Sequence, residues 1–181
     1  MSFTSIQTAR GAVTIRSTSA DDAPRLRALR VEALTSSPTS FGSDVSDVDV
    51  HDWVKVATGD ADNAAFVAEH AGQLIGMAGG YRSTRRKERH HADIWGVYVQ
   101  PNWRRMGLAQ ALLNATVEWA RDAGVAIVKL TVVPESGARG CYERCGFKVT
   151  GVDPAALCWD GRYYDELLMH RWTNPNAPAG V

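Results

Sequence analysis

Residues 94–113 constrain the fold of this chain more than any other stretch. They contain a β-rich run at residues 94–99, a turn at residues 101–102 and the start of a helix at residues 104–109. A helix that follows a strand and a tight turn presents unpaired backbone N–H groups and the positive end of its macrodipole. Because both features favour anions, this stretch predicts a phosphate-binding loop.

Two small residues in the loop suit an anion. Gly107 would let the backbone approach a phosphate closely, and Ala109 would leave the loop open. Two familiar nucleotide-binding loops are excluded, because no Gly-Lys-Ser/Thr follows and the Gly-x-Gly-x-x-Gly pattern is missing. A glycine here can equally be an ordinary turn residue, so the loop alone leaves both interpretations open.

The sequence around this loop resembles the acetyl-CoA signature of the GNAT acetyltransferase superfamily. Residues 99–113 read Val-x-Pro-x-x-Arg-x-x-Gly-x-Ala-x-x-Leu-Leu. Residues 142–147, Tyr-Glu-Arg-Cys-Gly-Phe, resemble the tyrosine-bearing helix of the family and the Gly-Phe that closes it. The resemblance covers residues 12–172. It implies an α/β fold with a mixed, mostly antiparallel sheet, a splayed central pair of parallel strands and flanking helices.

Periodicity and turn residues predict the remaining elements. A first helix is expected after Ser19, with Pro24 in its first turn, and a second helix that contains Trp53 should end at Gly59. On the first helix, four charged residues are expected to face outward: Arg25, Arg27, Arg30 and Glu32. Strands are predicted at residues 13–16, 64–69, 74–81 and 127–132, and a short helix at residues 138–145. A further strand should start at residues 147–149, and the last strand, residues 163–169, should follow a turn at residues 160–161.

The length of 181 residues fits one domain, which can bury about two thirds of its unfolded surface. The expected single acetyltransferase domain comprises residues 12–172. Residues 1–11 lack periodicity and residues 173–181 contain two prolines, so both segments are expected to be flexible tails.

Charge gives no reason to expect a nucleic-acid or membrane partner. Lysine plus arginine and aspartate plus glutamate both number 20, so no global field exists. Residues 82–91 include five Lys or Arg; they could form an anion patch, but without interleaved aromatic residues a solvated loop is favoured. The apolar stretches are shorter than the ~20 residues that span a bilayer, and the N-terminus has no secretion pattern, so a cytoplasmic location is expected.

The cysteines and histidines do not predict a metal site. Three cysteines do not suggest a disulfide framework. Cys141 and Cys145 are four residues apart on one helix face, and no histidine or acidic residue accompanies them at metal-ligand spacing. Core thiols are the preferred interpretation. The His90–His91 pair lacks a third ligand, so no metal is expected.

The family resemblance implies which residues would bind acetyl-CoA. Backbone groups of Val97 and Val99 would pair with the pantetheine amides, and an N–H near Val97 or Tyr98 would face the thioester oxygen. N–H groups of residues 105–109 would receive the pyrophosphate. The expected cofactor-binding residues are Val97, Tyr98, Val99, Arg104, Arg105, Met106, Gly107, Leu108, Ala109, Ser136 and Arg139, among which the three arginines are candidates for the 3′-phosphate or are simply solvated.

One position departs from the family pattern. Members often carry an asparagine seven residues before the tyrosine, where it touches the cofactor, and this chain has Glu135 there. Ser136 could replace the asparagine if the loop shifts by one residue.

Two residues are candidate catalysts. Tyr142 matches the family tyrosine that often protonates the leaving thiolate; otherwise it is a packed tyrosine with its hydroxyl at the surface. Asp93 precedes the β-rich run, where many members carry an acidic residue, and strict alternation would give it the parity of Val97 and Val99. It would accept the amine proton through water, or be a strand-edge carboxylate paired with Arg82 or His91. Glu69 and a chain of waters are lesser candidates for the base.

The expected function is that of an N-acetyltransferase, which moves the acetyl group of acetyl-CoA to a primary amine of an unidentified small molecule, peptide or protein. Donor and acceptor would meet in one site without an acyl-enzyme. The alternative is a non-catalytic acyl-CoA-binding module, in which the cradle persists but amine chemistry does not. A homodimer could form by pairing of the strand at residues 163–169.

Overall fold

An eight-stranded mixed sheet forms the centre of the structure, a computed structural model that describes residues 4–174. Its strands are β1 (Thr4–Thr8), β2 (Gly11–Ser17), β3 (Asn63–His70), β4 (Gln73–Arg82), β5 (His91–Val99), β6 (Ile127–Val132), β7 (Lys148–Trp159) and β8 (Arg162–Trp172). The α-helices of this part of the chain are α1 (Ala23–Ser36), α2 (Trp53–Thr58), α3 (Leu108–Asp122) and α4 (Arg139–Arg144).

The strand order is β1-β2-β3-β4-β5-β6-β8-β7, and all neighbouring strands are antiparallel except β5 and β6. Strands β5 and β6 are joined through α3, as expected for a strand-helix-strand crossover. This arrangement confirms the predicted fold class.

Strands β5 and β6 pair only near their beginnings. The parallel register runs from His91 opposite Ile127 to Asp93 opposite Lys129. Beyond Asp93, the described residues of the two strands form no further pair, although β5 continues to Val99. The strands therefore diverge as predicted, and one edge of β5 is left without a partner strand.

A bulge in β5 changes which side chains share a face. Trp95 lies opposite Gly79 but Tyr98 lies opposite Met77, so two residues of β5 face one residue of β4. Gly96 allows the bulge because its φ of 66° lies in the left-handed region. Alternation is shifted beyond this point, and the expectation that Asp93 shares a face with Val97 and Val99 is wrong.

The packing of β5 against the helices shows the shift directly. Ile94 packs with Leu113 of α3, and after the bulge Val99 also packs with α3, through Leu108. Trp95 and Tyr98 pack instead in the cluster of α1, on the opposite face of the sheet. Asp93 lies two residues before Trp95, and both residues precede the bulge. Alternation therefore places Asp93 on the α1 face with Trp95.

An ion pair fastens α1 to the sheet. Asp22, in the 3-10 turn before α1, is only 1% exposed and lies 2.6 Å from the guanidinium of Arg16 on β2. The same carboxylate accepts the backbone N–H of Ser19 at 2.9 Å. These bonds favour the charged carboxylate and hold the pKa of Asp22 well below its usual range, with burial acting in the opposite direction.

Two predicted boundaries need correction. Residues 4–8 belong to strand β1, which pairs along its length with β2, so the predicted N-terminal tail of residues 1–11 is wrong at these positions. At the other end, Thr173 is buried and its hydroxyl donates to the carbonyl oxygen of Val125 at 2.7 Å. Residues 1–3 and 175–181 of the predicted tails lie outside the described residues.

Strand β8 is not available for pairing across a dimer. It lies between β6 and β7, and both neighbours are hydrogen-bonded to it. The predicted use of residues 163–169 as a dimer edge is therefore wrong, since β7 is the strand at that edge of the sheet. No helix within residues 4–174 is long and apolar enough to cross a bilayer.

Candidate active site

A cavity of about 770 Å³ opens where β5 and β6 separate. Its walls come from α1 and the segment after it, from β5 and the loop that follows, from β6, and from α4 and β8. The ionisable residues of its lining are Arg30, Tyr98, Arg104, Arg105, Cys141, Tyr142, Arg144 and Glu166. Four arginines and one carboxylate give this cavity an excess of positive charge.

The N-terminus of α3 forms one end of the lining. Gly107 precedes the first helical residue, Leu108, and adopts a left-handed φ of 79°. The first hydrogen bond of the helix runs from the Ala111 N–H to the Gly107 carbonyl oxygen at 3.0 Å. Within the described chain, no hydrogen-bond partner is found for the N–H groups of residues 107–110.

The approach to these N–H groups is open. A Cβ atom added to Gly107 would have no heavy atom within 4 Å beyond its immediate chain neighbours. Arg105, two residues earlier, also adopts a left-handed φ, of 62°, which is uncommon for a residue with a side chain. The two left-handed residues turn the backbone into a concave loop, and its free N–H groups suit an anion.

The cavity brings together most of the residues predicted to bind the cofactor. Those in its lining are Val97, Tyr98, Val99, Arg104, Arg105, Gly107, Leu108, Ala109 and Ser136. Met106 is not in the lining and packs instead against the apolar cluster of Leu108. Arg139 is not in the lining either, and its Nε donates to Glu143 on the same helix at 2.8 Å.

Arg104 is bound to the strand that precedes it. Its Nε donates to the carbonyl oxygen of Val99 at 3.0 Å, and its guanidinium lies 5.9 Å from the centre of the Tyr98 ring. Arg104 thus stabilises the turn between β5 and α3, and the Val99 carbonyl already has a partner. Arg105 has an exposed side chain that forms no ion pair in the described part of the protein.

Tyr142 is a buried tyrosine of α4. It lines the cavity, is only 8% exposed, and its ring packs edge-on against Phe147 with 6.1 Å between ring centres. Its hydroxyl has no hydrogen-bond partner among residues 4–174. Burial, helped by the nearby Cys141 and Cys145 thiols, raises the pKa of Tyr142 far above its ordinary value. The phenol therefore keeps its proton at neutral pH.

Ser136 and Glu135, in the loop before α4, differ in their access to the cavity. Ser136 lines the cavity and Glu135 does not, which is the placement required if Ser136 replaces the family asparagine.

Cys145 is buried in the core as predicted, whereas Cys141 lines the cavity. The neighbouring Cys145 thiol lowers the pKa of Cys141.

Asp93 does not line the cavity. It lies opposite Lys129 in the parallel register, and His91 Nδ1 lies 3.2 Å from Lys129 Nζ. Burial of the carboxyl raises the pKa of Asp93, while the charges of Lys129 and His91 oppose the rise. The predicted alternative partner, Arg82, is occupied elsewhere, since its Nε donates to the Arg89 carbonyl oxygen at 2.8 Å.

Glu69 lies away from the cavity. Its carboxylate accepts a 2.7 Å hydrogen bond from Arg16, so it serves the ion-pair network of α1. The carboxylate that does line the cavity is Glu166 of β8, a half-buried residue that the sequence analysis did not select. Its position in a strand of alternating character carried no catalytic signal.

Arg30 and Glu32 face inward, contrary to the expectation that they face solvent. Glu32 accepts hydrogen bonds from the Tyr98 hydroxyl at 3.0 Å and from Gln100 Nε2 at 2.8 Å. Arg30 lines the cavity. A sequence signal for Arg30 existed, because it stands four residues from both Leu26 and Leu34 and so continues the apolar stripe of the helix.

Comparisons with known proteins agree with this geometry. The family model described as "Acetyltransferase (GNAT) family" matches residues 26–147. The human protein N-acetyltransferase 8 is 31% identical over 107 residues, which are 57% of this chain and 46% of that protein. The chain thus spans about half the length of that curated relative.

Solved structures show the same fold over most of the chain. The ribosomal-protein-alanine N-acetyltransferase of Brucella melitensis has a TM-score of 0.75 at 26% identity, covering 87% of this chain and 98% of that one. The structure of YncA from Salmonella typhimurium with its cofactor acetyl-CoA has a TM-score of 0.74 at 19% identity, covering 93% of this chain and 98% of that one. The predicted resemblance is confirmed, and this chain belongs to the GNAT family of acetyltransferases.

Proposed function

We propose that the protein is an N-acetyltransferase that uses acetyl-CoA as co-substrate and a primary amine as acceptor. The observation that carries this proposal is the meeting of a free helix N-terminus and a buried, protonated tyrosine at one cavity between diverging strands. When bound, acetyl-CoA supplies the thioester. In the reaction, the amine nitrogen forms a bond to the acetyl carbon, the C–S bond breaks, the amine loses a proton and the thiolate gains one.

The N-terminus of α3 is the proposed site of the pyrophosphate. Four successive N–H groups, of residues 107–110, are free to bind phosphate oxygens. Arg105 is the best candidate for the 3′-phosphate, since Arg104 is engaged with Val99 and Arg139 with Glu143. Met106 would contribute through its backbone, because its side chain is packed in the core.

The free edge of β5 is the proposed site of the pantetheine arm. Beyond Asp93 this edge has no partner strand, so its backbone groups can pair with amides as another strand would. An N–H near Val97 or Tyr98 would donate to the oxygen that gains negative charge during transfer. The left-handed Gly96 turns the backbone at this point and brings these groups out of regular alternation.

Tyr142 is the proposed general acid. Its hydroxyl is free of protein hydrogen bonds in the described chain, and the raised pKa keeps it protonated. It would donate this proton to the leaving thiolate. Direct transfer of the acetyl group from acetyl-CoA to the amine needs no cysteine nucleophile.

The route of the amine proton has two candidates. Glu166 is favoured by its place in the cavity lining. Asp93, which lies beside His91 and Lys129 outside the lining, would act through water. Both routes belong to the proposal, and the pH profiles of kcat/KM for Glu166→Gln and Asp93→Asn distinguish them.

The test of this function is release of free thiol from acetyl-CoA in the presence of a panel of primary amines. We expect amine-dependent release that exceeds hydrolysis. Binding of acetyl-CoA without turnover for any amine would favour the alternative, a non-catalytic acyl-CoA-binding module, for which the substitution of asparagine by Glu135 is the best support.

A further inference from the structure

Arg30 is a half-buried cation without a hydrogen-bond or ion-pair partner in the described chain. Its Nη1 is inaccessible to solvent and forms no hydrogen bond in the structure. No ion pair joins this side chain to any residue between 4 and 174. Burial lowers the pKa of Arg30, with no nearby charge contributing. An arginine in such a place is normally paired.

The surroundings of Arg30 belong to the reaction cavity. Its guanidinium lies 4.8 Å from the centre of the Phe41 ring, which holds the side chain in place. A methyl group on Gly96 would lie 3.7 Å from Nη1, so the guanidinium faces the bulge of β5. The hydroxyl-bearing Ser37, Ser40 and Ser43 also line the cavity.

Two acidic residues that share a cleft with Arg30 have other roles. Asp44 and Asp47 follow Phe41 and line a small neighbouring cleft that Arg30 also touches. The Asp44 carboxylate accepts the Ser46 N–H at 2.9 Å, and the Asp47 carboxylate accepts the Asp44 N–H at 2.7 Å. Both therefore cap the local turn. Arg16 provides the contrast, because it is paired with both Asp22 and Glu69.

The phosphates of acetyl-CoA do not account for Arg30. The proposed pyrophosphate site lies after the end of β5. Gln100 is four residue steps beyond Gly96, which is roughly 13 Å at 3.3 Å per residue. The cavity lining near that end already contains Arg104 and Arg105. The unpaired cation is therefore available for the acceptor.

We propose that Arg30 binds a carboxylate of the acceptor, and that the acceptor is a small α-amino acid rather than a polyamine, an amino sugar or a protein lysine. This proposal rests on the proposed function. The Nε and Nη2 atoms of Arg30 form no hydrogen bond within residues 4–174 and, unlike Nη1, are accessible. These two donors of a planar guanidinium match a carboxylate through two parallel N–H···O bonds, which fixes orientation as well as supplying charge. Such an anchor at the bulge sets the amine of a compact molecule near the reacting thioester. Glu166, the carboxylate of the lining, is available to the ammonium group.

The test compares three matched sets of acceptors with acetyl-CoA: the common L-amino acids, their α-carboxamides, and the primary amines that lack the carboxyl group. We expect kcat/KM to be about tenfold to a hundredfold higher for the acids, the range of a charge-assisted hydrogen bond. The amine of a carboxamide is less basic and more of it is neutral at pH 7. Without carboxylate recognition, the carboxamides would therefore be the better acceptors.

Arg30→Met should abolish the preference for acids over carboxamides, measured as the ratio of their kcat/KM values within the one variant. Arg27→Met is the matched control, since Arg27 lies on the same helix, is exposed and pairs with Asp49 at 2.5 Å; it should keep the preference. The melting temperature of Arg30→Met should be equal or higher, because an unpaired, half-buried charge is removed. Arg30→Lys, which keeps the charge but loses the planar fork, should retain part of the preference and serves if Arg30→Met does not fold.

The outcomes separate this proposal from the proposed function. If simple amines and carboxamides are acetylated as well as the acids, the function stands and carboxylate recognition by Arg30 is refuted. If no amine is acetylated, the proposed function is refuted, and binding of amino acids to the CoA-bound protein tests carboxylate recognition by Arg30. L-Amino acids should then raise the melting temperature of the CoA-bound wild type but not of CoA-bound Arg30→Met, and the absence of that difference would refute the inference.

Discussion

The hydroxyl of Tyr98 donates a 3.0 Å hydrogen bond to the carboxylate of Glu32. Tyr98 lies on β5 directly after the bulge, and Glu32 lies in the last turns of α1. The same carboxylate accepts from Gln100 at 2.8 Å, so one side chain of α1 holds both the strand and the turn that follows it. The position of α1, which carries Arg30, is thereby linked to the position of the backbone proposed to bind the thioester.

Glu32→Ala should destabilise the protein by about 1–3 kcal/mol, because two donors lose a charged acceptor. The double variant Glu32→Ala/Tyr98→Phe should lose less stability than the sum of the losses in the two single variants. The difference, which is the coupling energy of the double-mutant cycle, should be about 1 kcal/mol. Chemical unfolding of the four proteins measures both quantities. Glu118→Ala, on the exposed face of α3, is the control and should change stability little. Additive effects of Glu32→Ala and Tyr98→Phe would show that the hydrogen bond contributes nothing.

Gly107→Glu should abolish the rise in melting temperature caused by acetyl-CoA. A side chain and a negative charge would stand where the free N–H groups of α3 receive the pyrophosphate, and a ligand that no longer binds the native state cannot stabilise it. Gly161→Glu is the matched control, since Gly161 also has a left-handed φ, of 71°, and open space around it, but lies in the β7–β8 turn. It should show the same backbone strain and keep the full shift. A folded Gly107→Glu protein with an unchanged shift would exclude this loop as the phosphate site.

Substitution of the two candidate bases should give different pH profiles. If Glu166 accepts the amine proton, Glu166→Gln should lower kcat/KM most at low pH, and the deficit should shrink as pH approaches the pKa of the amine. If Asp93 performs this role, Asp93→Asn should show that pattern instead. The kcat/KM of the wild type should then begin to fall at a pH above the ordinary range of an aspartate, because burial raises the pKa of Asp93. A deficit that does not change with pH assigns a structural or binding role to the substituted residue.

The Asp22–Arg16 pair should make stability depend on acid. The pKa of Asp22 is lowered in the folded protein, first by its bond with Arg16, so its contribution is present above the unfolded pKa of about 3.9 and is lost as pH falls through the lower folded value. Asp22→Asn should therefore reduce the free energy of unfolding at pH 7 and flatten its decline below about pH 4. Urea unfolding at several pH values measures this, and an unchanged slope would show that the pair contributes nothing to acid sensitivity.

Most of the fold could be predicted, because alternation and turn residues mark each central element. The bulge at Gly96 could not, since a glycine inside a strand indicates a bulge or a close approach without saying which residues become paired. That single insertion moved Asp93 to the α1 face and made the parity argument wrong. Strand β1 also escaped prediction, because residues 4–8 form an edge strand that is mostly exposed and has no apolar alternation.

The candidate site was predictable where it uses local sequence and less so where it depends on distant segments. The loop at residues 104–109 and the helix of Tyr142 carry their signals in adjacent residues. Arg30 meets Phe41 and Gly96, which lie 11 and 66 residues away along the chain, and its inward position was indicated only by its spacing from Leu26 and Leu34. Glu166 reaches the cavity through the pairing of β8 with β6, a relationship that no local pattern records.

Tyr142→Phe removes the one hydroxyl that we propose to protonate the leaving thiolate. Phenylalanine keeps the ring and its packing against Phe147, so we expect kcat to fall by about 10²-fold or more while acetyl-CoA affinity stays within a few-fold. Because the pKa of Tyr142 is raised, the wild-type rate should show no loss from tyrosine ionisation up to about pH 10.

The decisive measurement is the kcat of Tyr142→Phe with two acetyl donors, acetyl-CoA and an activated acetyl ester whose leaving group is much more acidic than a thiol. If Tyr142 is the general acid, the variant should show a large deficit with acetyl-CoA and near wild-type kcat with the ester, whose leaving group needs no proton. Near wild-type kcat with acetyl-CoA, or an equal deficit with both donors, would contradict the assignment of Tyr142 as the general acid.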